Sequence, residues 1–163
     1  MNDSLSLVLT GVGATMLMDV WGVARKYLFG LPSPDYGMVG RWIGHMTHGK
    51  FRHDRIAAAS PIAAERVIGW SSHYIIGIAF AAGLISIVGS EWLRRPTLGP
   101  ALAFGVATVA APFFLMQPGM GAGIAASRTP KPGSARLQSL ITHAIFGFGL
   151  WTAACVTYYL GQH

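Results

Sequence analysis

The chain has 163 residues, enough for one domain, with 52% apolar and only 11% charged residues; soluble domains carry about 25% charge, so a water-soluble globule is excluded. The net charge of +6 does not mark a nucleic-acid binder, because the bases sit in short segments between long apolar runs rather than on one wet face. Anionic lipid headgroups and the bilayer itself are the matching partners. The single cysteine, Cys155, lies inside an apolar run, which rules out an intrachain disulfide framework and a multi-cysteine metal site.

The chain opens Met-Asn-Asp, runs apolar from Leu5 to Ala24 and only then reaches Arg25 and Lys26. A cleaved signal peptide carries its positive charge before the apolar core, so this run is predicted to be a retained span. The segment from Leu28 to Glu65 follows, too long for a bare connector. Within it Tyr36, Val39, Trp42, Ile43 and Met46 fall at helical spacing, with Arg41 and His45 among them. That pattern predicts a short amphipathic helix in the headgroup layer. Three more runs reach the roughly 20 apolar residues that a span needs: Val67 to Val88, Leu98 to Gln117 and Leu137 to Leu160. They are too long and too uniformly apolar for the alternating strands of a barrel, so the predicted fold is an all-α, four-transmembrane-helix bundle forming a single domain over residues 1–163.

Basic residues set the orientation. Ten of them (Arg25, Lys26, Arg41, Lys50, Arg52, Arg55, Arg66, Arg128, Lys131 and Arg136) flank the first and third connections, against Arg94 and Arg95 in the second. The positive-inside rule then places the two long loops in the cytoplasm and both ends of the chain outside. The third connection holds Pro118, Gly119, Gly121, Gly123, Pro130, Pro132 and Gly133, and no charge occurs from Pro96 to Ser127. Its first part is expected to dip back into the membrane as irregular backbone.

The second and fourth spans share a pattern. Arg66, His73, Ile75 and Gly77 recur at identical offsets as Arg136, His143, Ile145 and Gly147, and Ala14-Thr15 align more weakly with Ala107-Thr108. This points to a duplicated helical hairpin of the parallel kind. Each histidine lies seven residues inside a boundary arginine, about 10 Å deep at 1.5 Å per residue. Asp19, six residues before Arg25, reaches nearly the same depth. Ionisable groups at such depth are costly and are expected to face the interior with partners.

Asp19, His73 and His143 are therefore the candidate ligand-binding residues, and three readings stand. In one, the histidines hold haem b or a metal ion across the bundle diagonal, on the order of 11–14 Å for neighbouring helices roughly 8–10 Å apart. In another they form a protonatable relay in a transporter or channel subunit that works as an oligomer. In the third they are a hydrogen-bonded packing cluster in an assembly subunit of a membrane complex. Gly77 and Gly147, four residues beyond the histidines, would admit either a flat ligand or another helix. A weaker candidate is a metal site of His45, His48 and His53, the first two on one helical face; beside Lys50, Arg52 and Arg55 they also suit anionic lipid. Asp19 has Arg25 as an alternative partner. No nucleophile elbow, paired catalytic carboxylates or HExxH helix occurs in the sequence, and the catalytic residues, if any, are not legible.

The stretches Asp35-Tyr-Gly-Met-Val-Gly-Arg-Trp-Ile-Gly-His45-Met, Arg94-Arg-Pro-Thr-Leu-Gly-Pro100 and Met116-Gln-Pro-Gly-Met-Gly-Ala-Gly-Ile-Ala-Ala-Ser-Arg128-Thr-Pro resemble a bacterial family of four-span inner-membrane proteins catalogued as a domain of unknown function. The resemblance implies a bacterial inner-membrane location and carries over no activity and no catalytic residue.

Overall fold

A computed structural model describes residues 2–162. The main helices are α1 (Asp3–Phe29), α2 (Tyr36–Met46), α3 (Glu65–Val88), α4 (Leu98–Met120) and α5 (Pro132–Leu160), with a short 3-10 turn in each connection after α2. No strand occurs among the described residues. Four of the helices, α1, α3, α4 and α5, are long and apolar enough to cross a membrane. Even α4, with 23 residues, reaches about 35 Å against a hydrocarbon core of about 30 Å.

Local chemistry sets the ends. The Asn2 side chain accepts the Leu5 N–H at 2.8 Å and starts α1. Gly30, at φ 65°, closes it by donating its N–H to the Lys26 carbonyl, and Lys26 itself sits in the last turn against the helix dipole. Asp35 caps α2 by accepting the Gly37 N–H at 2.9 Å. All four spanning helices are longer than their apolar runs; α1, α3 and α5 continue through charged residues, and α4 through Pro118 to Met120. Pro132 starts α5 five residues before Leu137, at a position where its missing N–H costs nothing.

The irregular backbone expected from Pro118 begins three residues later, at Gly121. Pro112 lacks an N–H and crowds the turn before it, and α4 widens into a π turn over Pro112–Met116 instead of breaking. The chain then stays helical over Gln117–Met120 and stops at Gly121, whose φ is 96°. Irregular backbone is confined to the residues after that.

Contacts divide the chain into two units. The first comprises residues 1–33, 74–108 and 141–163. In it, α1 crosses α3 where Gly11 meets Gly77 and Ile78, and crosses α5 where Ala14 meets Gly149 and Gly13 meets Ala153. Helix α4 meets α3 at Gly83 and Phe104, and meets α5 at Gly105 and Gly147. Each helix thus has two neighbours, and α1, α3, α4 and α5 close a ring with α3 and α5 diagonal to one another. Phe80 and Phe146 span that diagonal with ring centroids 6.0 Å apart. The buried centre is Ala14, Ala81, Leu84, Ala101, Phe146, Leu150 and Ala154, with Trp92 and Leu93 of the α3–α4 turn packed into the same cluster. Small residues at the crossings let backbones touch, which is how helices associate where lipid removes the hydrophobic drive.

The second unit comprises residues 34–73 and 109–140. Here α2 packs on the first turns of α3, so closely that a Cβ on Gly40 would stand 2.7 Å from the Gly69 nitrogen. The predicted amphipathic helix is present, and the side it buries is covered by protein. Arg41, only 7% exposed, forms a two-pronged pair with Glu65 at 2.8 and 2.9 Å and also donates to the Ala59 carbonyl at 3.1 Å.

Candidate functional site

The polar residues of the first unit lie on facing helices. Asp19 of α1 accepts a hydrogen bond from the Tyr74 hydroxyl of α3 at 3.0 Å, and both side chains are half-buried. Tyr74 answers the cost of a carboxyl group in an apolar helix with a hydrogen bond. The proposed alternative partner is not used, since Arg25 donates to the Pro32 carbonyl at 3.2 Å. On the other side of the ring, Thr108 of α4 donates to the Gly105 carbonyl at 2.6 Å and stands 2.8 Å from His143 Nδ1 of α5. The Thr108 hydroxyl, which can both donate and accept, thus links the Gly105 carbonyl to the imidazole.

His73 belongs to the second unit, one residue before the boundary. Its ring stacks on Tyr36 of α2 at 4.1 Å and 25°, and Trp70 meets it edge-on at 6.0 Å. The two histidines matched by the repeat therefore have different local surroundings, one aromatic and one hydroxylic. The glycines that follow them do share a role. A Cβ on Gly147 would lie 2.7 Å from the Ala101 carbonyl and 2.9 Å from the Leu102 Cα. A Cβ on Gly77 would strike Thr15 Oγ1. Of the two occupants that the sequence allows there, neighbouring helices take the space, and a flat ligand would have to displace backbone.

The loop histidines are divided. His45 and His53 approach edge to face with ring centroids 5.0 Å apart, and His45 Nε2 is 3.0 Å from the Ser60 carbonyl. His48 instead turns its Nδ1 to Thr47 Oγ1 and the Gly44 carbonyl. Among the described residues no three His, Cys, Asp or Glu side chains stand where one metal ion would bridge them. His53 is 8% exposed; burial, then the neighbouring Lys50 and His45, hold its pKa below the usual 6.5. Its Nε2 has no hydrogen-bond partner among the described residues. Arg41 moves the opposite way, its pKa raised chiefly by the hydrogen bond to Glu65.

Sequence reasoning named Thr108 only in the weaker half of the repeat match and gave Tyr74 no role. A hydroxyl in an apolar helix carries no signal until its partner is known, and these partners are 55 and 35 residues away. Tyr36 was visible only as one apolar position of α2.

Comparison with known proteins adds the family and nothing finer. No curated protein and no solved structure matches the chain. The model of one family, described as "Protein of unknown function (DUF2938)", matches residues 8–157. That match spans nearly all of a chain with four membrane-crossing helices and polar pairs between their faces, and the chain belongs to this family.

Proposed function

We propose that the protein is a bacterial inner-membrane component that exchanges protons through Asp19 and His143 as part of a transport unit, with both chain ends in the periplasm. The observation that carries this reading is the pairing of a carboxylate and an imidazole with hydroxyls of neighbouring helices inside apolar spans, Asp19 with Tyr74 and His143 with Thr108. Carboxylate and imidazole exchange protons, and a hydroxyl that both donates and accepts relays them. Ionisable groups are expensive in such segments and mark ion or proton pathways. Four helices are few for a complete transporter, so the working unit includes further copies or a membrane-complex partner. The packed Gly77 and Gly147 faces weigh against haem as the bound group. Orientation rests on the charge bias; discounting Arg41 and Arg94, which are paired with carboxylates, nine bases remain against one.

The test is proton flux in liposomes enclosing a pH-sensitive dye, driven by an imposed potential. Wild type should exceed the protein-free rate, and Asp19→Asn and His143→Gln should return to it while Lys131→Gln does not. Wild-type flux equal to that of empty liposomes overturns the reading. For topology, Lys50→Cys and Lys131→Cys in a Cys155→Ala background should resist an impermeant thiol reagent in intact cells, and strong labelling would reverse the orientation.

A further inference from the structure

A second polar feature of the molecule lies wholly within the second unit and takes no part in the proton-exchange reading. The residues between α2 and α3 meet the turn after α4 around an open cleft of about 450 Å³, lined by Lys50, Arg52, His53, Asp54, Arg55 and Arg128 together with small apolar residues. Four cations face one carboxylate. None of the four forms an ion pair among the described residues, in contrast to Arg41 and Arg94, which do. Asp54 is the one carboxylate set against them, so the cleft carries a net positive charge that favours an anion.

The cleft is built. The His53 N–H donates to the Gly119 carbonyl at 2.9 Å and ties the two segments together. Trp42 of α2 donates its indole N–H to the Phe51 carbonyl at 2.9 Å, and Gly119 lies against the same indole, 2.5 Å from its Cζ2 if a Cβ is added. Gly121 passes under the carbonyls of His53 and Asp54, where no side chain fits. The Arg128 N–H bonds back to the Ala122 carbonyl at 2.8 Å, just after Ala125 and Ala126 adopt left-handed φ values of 47° and 58°. Left-handed backbone is unfavourable for alanine, and such strain is commonly kept where a site must be shaped.

The buried imidazole is the second, independent sign. His53 lines the cleft, is more than nine-tenths buried, and has an Nε2 with no protein partner. His53 shares the cleft lining with three arginines, and guanidinium groups suit a phosphate monoester because they supply planar, two-pronged donors to its oxygens. The volume is that of a small-molecule site and exceeds what a bare phosphate fills.

We infer that this cleft binds a phosphoryl group carried on a small organic body, held by Arg52, Arg55, Arg128 and Lys50 with His53 beneath. The same chemistry is offered by a phosphomonoester lipid headgroup and by a soluble phosphorylated metabolite. Binding is independent of the proton reading; only access from the cytoplasmic leaflet rests on the orientation proposed above.

The experiment is titration of the purified full chain by calorimetry with glycerol 3-phosphate and inorganic phosphate in detergent. In parallel, binding is measured to liposomes of phosphatidylcholine with and without phosphatidic acid. Wild type should bind one of the two sources saturably: glycerol 3-phosphate in the first arm assigns a soluble ligand, and phosphatidic acid alone assigns the lipid. Arg55→Gln and Arg128→Gln should each weaken that binding about tenfold or more, as loss of one charge-assisted hydrogen bond does, with unchanged melting temperature. Lys131→Gln, which removes the same charge outside the cleft, should leave it within about twofold. His53→Gln retains a neutral polar side chain and should weaken binding while changing its pH dependence. Saturable binding in neither arm, or equal weakening by Lys131→Gln and Arg128→Gln, overturns the assignment.

Discussion

Replacing Gly11 by alanine tests whether the helix ring is held by backbone contact. A Cβ at this position would stand 2.6 Å from the Ile78 Cα, 3.0 Å from its nitrogen and 3.0 Å from the Gly77 carbonyl, all backbone atoms of α3. The shortest of these is about 0.8 Å inside ordinary contact, and no rotamer relieves it, so α1 and α3 must separate by a comparable distance. A gap of 0.5–1 Å forfeits about a quarter to a half of each dispersion contact along the crossing. Overpacking of this kind costs about 1–3 kcal/mol, and alanine's better helix propensity returns about 1 kcal/mol, leaving a net loss of about 0–2 kcal/mol. Gly133 supplies the control, since nothing lies within 4 Å of the Cβ it lacks, and Gly133→Ala should be neutral or stabilising by up to about 1 kcal/mol. Thermal unfolding of both variants in one detergent, followed by tryptophan fluorescence, reads the difference. Gly11→Ala melting at or above Gly133→Ala would refute the close crossing.

His53 gives a pH dependence with a definite sign. Its pKa is lowered on folding from the usual 6.5, so the unfolded chain binds more protons below that value; the contribution to stability is complete above 6.5 and is lost as pH falls through the lowered pKa. Acidification toward about pH 5 should reduce the melting temperature of wild type more than that of His53→Gln, and identical profiles would show that the imidazole is not held neutral. Glu65→Gln should lower the melting temperature by leaving the Arg41 guanidinium without its counter-charge. The double variant Arg41→Met/Glu65→Gln should recover much of the loss, and additive losses in that cycle would mean that the pair is not coupled.

Four spans were legible in the sequence because the length of an apolar run is a local property that water and lipid sort without reference to the rest of the chain. Helix α2 was legible for the same reason, since Tyr36, Val39, Trp42, Ile43 and Met46 repeat at helical spacing. The helix ends were not. An apolar run marks hydrocarbon, whereas α1 continues through Arg25 and Lys26 to Phe29, where Gly30 stops it. Asp19 stood out by its cost in an apolar segment, but its partner Tyr74 did not, because a hydrogen bond across 55 residues is fixed by which helices become neighbours. Gly77 and Gly147 announced close approach, and only the ring of α1, α3, α4 and α5 decided that helices, not a flat ligand, make it. Sequence could count Lys50, Arg52, Arg55 and Arg128 as bases outside the spans. That they face one cleft depends on the His53–Gly119 hydrogen bond and the bare backbone of Gly121, which join segments more than sixty residues apart and have no signature in either segment alone.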